Sequence, residues 1–275
     1  MPAQNLQLIA NELRAKVLAM ARSNFNLHLA GPMSSADLFA TLYFGDILKY
    51  HPEDPWNEDR DRLILSCGHY VPILYAALAK AGFFPKEKLA SFAQPDGLPV
   101  HPESLSDRSS LPGIEASTGP LGQGMSVAVG IAKALKLKRN MHSRVYCVCS
   151  DGELQEGQAW EAIGLSVREK LDNITWLIDA NNIQIEHFVT ELAGHSSLIG
   201  KFEAWGCHTL LVDGNNAEKL QELLQRINNN NQTPTAIVLK TIGGKGVSFM
   251  ENTPKWHDGR LTDEQYEQAI RELGI

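Results

Sequence analysis

The sequence predicts an α/β chain of three layers, α/β/α, with helices on both faces of a mainly parallel sheet. Three observations predict it. Short continuous apolar runs at 145–149, 174–179 and 236–239 read as strands buried on both faces. Segments with helical periodicity alternate with them, as in βαβ units rather than hairpins. No internal repeat and no Gly- or Ser-rich linker divides the 275 residues, so a single domain over 1–275 is expected.

The elements follow in order. Leu6, Ile9, Leu13, Val17 and Met20 recur at spacings of three and four, which predicts a helix over 6–22. Gly31-Pro32 breaks the pattern within 24–35, and Ser35 is placed to cap a helix over 36–48. Two prolines make 51–57 a loop. Leu63-Ile64-Leu65 reads as a buried strand running into Ser66-Cys67-Gly68-His69. A helix over 71–81 stops at Gly82. The stretch 85–113 carries five prolines and reads as a long surface excursion, a kind of segment that often has a function. Further helices are predicted over 122–137, 153–170, 198–205, 217–228 and 262–273. A strand is predicted over 208–212 and a turn over 228–234.

Composition excludes several functions. Lys and Arg number 25 against 32 Asp and Glu, a net charge of −7, whereas a nucleic-acid binder would show a basic face. No apolar run approaches the ~20 residues that span a bilayer. Residues 1–10 lack the basic-then-apolar pattern of a signal peptide. A cytoplasmic chain without membrane contact is expected. Cys67, Cys147, Cys149 and Cys207 fit neither a zinc site nor a disulfide framework, and Cys147 and Cys149, in an apolar run, read as buried thiols.

Ligands of such a sheet bind beyond the carboxyl ends of its strands. Two polar turns stand there: Ser150-Asp151-Gly152-Glu153 after one strand and Asp179-Ala180-Asn181-Asn182 after the next. Asp151 and Asn181 are 30 positions apart, about one βαβ unit, and right-handed crossover makes the turns neighbours. A carboxylate and an amide oxygen are hard ligands suited to Mg²⁺ or Ca²⁺, and a Mg²⁺ held by so few protein groups commonly binds substrate phosphates. Gly152 would let a phosphate approach the backbone, with the following helix aiming its N-terminus there. An Asp-Gly after a strand is by itself most often only a turn; the paired spacing is what points to a site.

Other patterns carry less. The run 119–124 is not G-x-G-x-x-G, and Gly243-Gly244-Lys245-Gly246 is not a Walker A loop. Of nine histidines, His28, His69, His101 and His257 lie in loops or element ends near Gly or Pro, and hint at a substrate funnel. His51, His142, His187, His195 and His208 read as structural or surface residues.

The run 150–157, followed by Trp160-Glu161-Ala162 and then 179–184, resembles the thiamine diphosphate motif of Gly-Asp-Gly, about 30 residues, then Asn. Its details resemble transketolase. Three further blocks are similar to that family: His28-Leu29-Ala30-Gly31 with Ser34-Ser35-Ala36-Asp37; Leu65-Ser66-Cys67-Gly68-His69; and His101-Pro102-Glu103 with Pro112-Gly113-Ile114-Glu115, leading to 117–124. The resemblance covers nearly the whole chain and implies the thiamine diphosphate-binding fold. A full transketolase is more than twice this length. The resemblance therefore implies the N-terminal subunit of a split transketolase, with the pyrimidine-binding domain on a C-terminal partner subunit in an α2β2 heterotetramer.

The implied activity is transfer of a two-carbon ketol unit from a ketose phosphate to an aldose, with thiamine diphosphate as cofactor and electron sink. By the resemblance, Asp151, Asn181 and the Ile183 carbonyl hold Mg²⁺, with Ca²⁺ or Mn²⁺ as substitutes. Gly152, Glu153, His69, His257, Gly119, Leu121 and Asn181 bind or line the cofactor. His28, His69, His101 and His257 surround the reacting carbon. Glu156 and Glu161 meet the partner's activating glutamate. The chain departs from the family pattern at Ser150, where a glycine is usual, and at Ala30, Cys67, Val100 and Asp258. Ala30, Val100 and Asp258 lie beside the histidines and bear on the sugars more than on the cofactor. An α subunit of a 2-oxoacid dehydrogenase E1 component and a non-catalytic scaffold half are the alternatives. The histidine blocks and the intact Asp151 and Asn181 count against them.

Overall fold

The six residues Val145–Ser150 are all buried, and so are the first six of Ile174–Ala180. Strands this apolar need cover on both faces, and a computed structural model of the chain gives it to them. It describes residues 5–22, 26–104, 111–140, 142–193, 197–227 and 232–275. In chain order the elements are α1 (Leu6–Ala21), β1 (Leu27–His28), α2 (Ala30–Ser34), α3 (Ala36–Phe44), β2 (Arg62–Leu65), α4 (Val71–Lys80), α5 (Gln123–Leu137), β3 (Val145–Ser150), α6 (Gly157–Arg168) and β4 (Ile174–Ala180). Then come β5 (Ile183–Gln184), β6 (His187–Phe188), α7 (Val189–Ala193), α8 (Leu198–Trp205), β7 (His208–Asp213), α9 (Ala217–Arg226), β8 (Thr235–Lys240), β9 (Asp258–Gly259) and α10 (Asp263–Leu273).

Five strands form one parallel sheet in the order β2-β3-β4-β8-β7. Alternate side chains leave it on opposite faces, and the buried residues divide accordingly. Leu63, Leu65, Tyr146, Val148, Leu177, Ile237 and Leu239 join the core beneath α1, α3, α4, α9 and α10. Ile64, Cys147, Cys149, Trp176, Ile178 and Ala236 join a second core with α5, α6 and α8. This is the three-layer architecture expected. All four cysteines are free and buried, as expected for Cys147 and Cys149.

Three expectations need correction. The helix predicted over 153–170 is interrupted: a single 3-10 turn, Glu153–Gln155, precedes an extended Glu156, and α6 starts at Gly157. No helix N-terminus therefore follows Gly152 directly; α6 begins five residues on. The helix predicted over 36–48 ends at Phe44, capped by Gly45. The strand predicted over 208–212 is present as β7, at the sheet edge, with exposed and half-buried residues. The turn predicted over 228–234 begins in 228–231, and His195 stands in 194–196; both lie outside the described residues.

Candidate active site

β3 and β4 end side by side, because Ser150 pairs with Asp179. Each strand leads into its polar turn at the same level. Asp151 is buried. Its Oδ1 accepts the Gly152 N–H at 2.9 Å and its Oδ2 accepts the Asn182 N–H at 2.8 Å, which ties the two turns together. Asn182 reaches that position with φ +61°, a left-handed conformation that asparagine tolerates. Burial, and then the charge of Asp179, push the Asp151 carboxyl up to about 7.

Asn181 is also buried. Its Nδ2 donates to Asp179 Oδ2 at 2.7 Å, Tyr70 Oη at 3.0 Å and Ser34 Oγ at 3.3 Å. Its Oδ1 accepts the Ile183 N–H at 2.8 Å and keeps a second lone pair. Asp151, Asn181 and Ile183 thus share one corner. Among the described residues no three His, Cys, Asp or Glu side chains gather around a metal position. The corner instead offers one carboxylate, one amide oxygen and backbone carbonyls, a hard-oxygen set that fits a Mg²⁺ whose remaining ligands are phosphate and water oxygens. A buried carboxylate beside a second carboxylate is also where a cation relieves charge.

Three of the four predicted histidines meet. β1 pairs with β9, placing His28 opposite Asp258 and next to His257. The His28 ring lies 4.8 Å from that of His69 and 5.2 Å from that of His257; His69 and His257 are 5.8 Å apart. Burial lowers the pKa of all three, His28 to about 4, with the neighbouring imidazoles adding to the effect on His28 and His69. The fourth, His101, is brought near by two loops in close approach. A Cβ on Gly68 would stand 2.9 Å from the backbone of Gly119, so only glycine fits there, and a Cβ on Gly119 would stand 3.2 Å from His101 Cδ2. Thr118 locks the same loop, donating Oγ1–H to the Leu65 carbonyl at 2.7 Å and N–H to that of Pro102 at 3.2 Å. Leu121 packs partly buried against the main core.

Glu153 lies between two loops of the site. It is fully buried, and its Oε1 accepts from Ser66 Oγ at 2.6 Å and from the Gly122 N–H at 2.7 Å. It thereby braces the 66–69 and 119–122 loops. Gly152 has an ordinary right-handed backbone, φ −64°, so conformation does not demand glycine there. Glu156 and Glu161 are exposed at the start of α6.

Sequence reading missed the group that joins the corner of Asp151 and Asn181 to the histidines. Asp179 is fully buried and accepts from Ser34 Oγ at 2.7 Å, Tyr70 Oη at 2.9 Å, Asn181 Nδ2 and Thr241 Oγ1. The Tyr70 ring lies edge-on to that of His69 at 4.8 Å. The signal was present: Asp179 is the one ionisable residue in an otherwise apolar strand.

Comparison with known proteins places this geometry. The family described as "Transketolase, thiamine diphosphate binding domain" matches residues 6–275. The chain belongs to the transketolase family. Among curated relatives it is 36% identical over 270 residues to a 6-deoxy-6-sulfo-D-fructose transketolase subunit from a Clostridium strain, covering 98% of this chain and 96% of that one. It is 34% identical over 274 residues to an apulose-4-phosphate transketolase subunit of Phocaeicola vulgatus, covering 99% and 95%. Against the transketolase of Homo sapiens the identity is 34%, over 98% of this chain but only 42% of that protein. The crystal structure of transketolase from Campylobacter jejuni superposes with a TM-score of 0.91 at 35% identity, covering 100% of this chain and 43% of that one. The chain thus corresponds to the thiamine diphosphate-binding N-terminal part of transketolase. Among the described residues no helix is long and apolar enough to cross a membrane.

Proposed function

We propose that this chain, acting as one domain, is the diphosphate-side subunit of a split transketolase that transfers a two-carbon ketol unit from a ketose phosphate to an aldose. The observation that carries the reading is the cluster of His28, His69 and His257 beside the corner of Asp151, Asn181 and Ile183. Two relatives that the chain covers almost end to end bear the name of a subunit, which supports a partner carrying the pyrimidine-binding domain. Their names, one a sulfo-sugar and one a sugar phosphate, support a substrate with an anionic group. A two-plus-two heterotetramer in the cytoplasm is the assembly we infer.

In this reading the Asp151 carboxylate, Asn181 Oδ1 and the Ile183 carbonyl would hold Mg²⁺, which would neutralise the cofactor's diphosphate. Gly152, His69 and His257 would contact that diphosphate, and Gly119 and Leu121 would line the cofactor. Thiamine diphosphate supplies, when bound, the nucleophilic carbon and the electron sink that ketol transfer needs. The protein's part is orientation and proton movement. Burial keeps the imidazoles of His28, His69 and His257 neutral, so each offers one N–H donor and one nitrogen acceptor to a sugar hydroxyl. A proton leaving a hydroxyl can then rest on a ring nitrogen. His101 extends the same wall. Glu156 and Glu161 face outward, where a partner's glutamate could meet them.

The experiment is an assay of ketol transfer with thiamine diphosphate and Mg²⁺, first on the chain alone and then with its partner. Activity only in the combination is expected. Full activity of the chain alone would overturn the split-enzyme reading.

A further inference from the structure

Asp179 takes no direct part in the roles above, yet its carboxylate collects four side-chain donors from four segments. Ser34 comes from α2, Tyr70 from the loop after β2, Thr241 from the loop after β8, and Asn181 from the turn after its own strand. Three of them converge on Oδ2. Asn181 also touches the other two, since its Nδ2 reaches Tyr70 Oη at 3.0 Å and Ser34 Oγ at 3.3 Å.

The consequence lies in which end of the Asn181 amide faces the metal corner. An amide presents a donor on one side and an acceptor on the other, and the two are nearly the same shape. Turned by 180°, Asn181 would set its oxygen 2.7 Å from Asp179 Oδ2, two acceptors in contact without a proton between them. Oδ2 already accepts from Ser34 and Tyr70 and has no proton directed at Asn181, so that orientation is disfavoured. The orientation that remains directs Oδ1 to the Ile183 N–H and toward the corner shared with Asp151. We propose that Asp179 is a positioning residue for the metal site, fixing the Asn181 amide so that its oxygen rather than its nitrogen is offered to the cation. The proposal rests on the assignment of Asn181 as a ligand made above. Tyr70 is the second member of the brace, because it donates to Asp179 and accepts from Asn181 at once.

The test is Asp179→Asn, which keeps the shape but introduces a donor that can satisfy a turned Asn181 oxygen. Mg²⁺ is titrated into the chain purified with its partner, with thiamine diphosphate held constant, and the dissociation constant is read by calorimetry. Partners one step behind a ligand typically change metal affinity about 10–100-fold, and a weakening of that size is expected. The same substitution is then made in an Asn181→Ala background. A residue that acts through Asn181 has nothing left to act on there, so a further change under about twofold is expected from the double-mutant cycle. Loss of the carboxylate's charge, or a loosened fold, would weaken Mg²⁺ equally in both backgrounds and would overturn the proposal. So would an affinity of Asp179→Asn within twofold of the parent. If Asn181→Ala itself leaves Mg²⁺ binding unchanged, the ligand assignment fails and the proposal fails with it. Should Asp179→Asn not fold, Tyr70→Phe takes its place in the same cycle. A weakening that vanishes without Asn181 supports the brace, and an unchanged affinity overturns it.

Discussion

The charge on His28, His69 and His257 is decided by where their rings sit. Each ring is largely withdrawn from water and faces other imidazoles, so protonating one means placing a cation where it is poorly solvated. The pKa of His28 falls from 6.5 to about 4. The unfolded chain therefore binds the proton first as the pH drops, and stability rises with pH wherever the unfolded state holds more protons. The expected outcome is a chain that loses stability as the pH falls from about 6.5 toward 4, and a His28→Gln variant that loses less. Urea midpoints at several pH values across that window measure it, and parallel curves for the two proteins would contradict the assigned shift. Asp151 allows a second prediction. In our reading it is the one carboxylate among the ligands, and Asp151→Ala should weaken thiamine diphosphate binding in the presence of Mg²⁺ by more than the roughly 100-fold upper range of changes behind a ligand. Calorimetry at saturating Mg²⁺ measures the loss, and an unchanged affinity would move the metal elsewhere.

Elements were legible to the degree that their cause was local. α10 is the clearest case. Thr262 accepts the Gln265 N–H at 3.2 Å and Gln265 returns the bond to the Thr262 N–H at 3.0 Å, a reciprocal cap that the spacing of Thr and Gln announces. Thr262→Ala should lower stability by about 1 kcal/mol, read as a shifted urea midpoint with an unchanged slope; no shift would mean the helix end is held by tertiary contacts alone. α6 is the opposite case. Periodicity over 153–170 gives no reason for a break, yet Glu156 is extended and the helix waits until Gly157. The reason is a partner far away in sequence: the Glu153 carboxylate turns inward to meet Ser66 and Gly122, and the 3-10 turn that lets it do so cannot be continued as the same helix. The pairs β1–β9 and β5–β6 were invisible for a related reason, since two-residue strands carry no period.

For the molecule as a whole, the proposed partner makes a prediction about surface. Glu156 and Glu161 are exposed in the chain by itself. If the partner covers the start of α6, amide exchange over 156–161 should slow when the two are mixed, and exchange unaffected by the partner would place the interface on another face. What the sequence determined by itself was the alternation of strands and helices, the polar turns after β3 and β4, and their meeting through one crossover, because apolar runs, periodicity and handedness are properties of neighbouring residues. It also held the motif blocks from which the family could be read. Only the tertiary structure decided that His28, His69 and His257 touch, that Glu153 faces inward, and that Asp179 joins the corner of Asp151 and Asn181 to the histidine loop. Those arrangements depend on contacts between segments up to 229 positions apart, as His28 and His257 are, and on which buried polar groups find partners there. No window along the chain contains both members of such a pair.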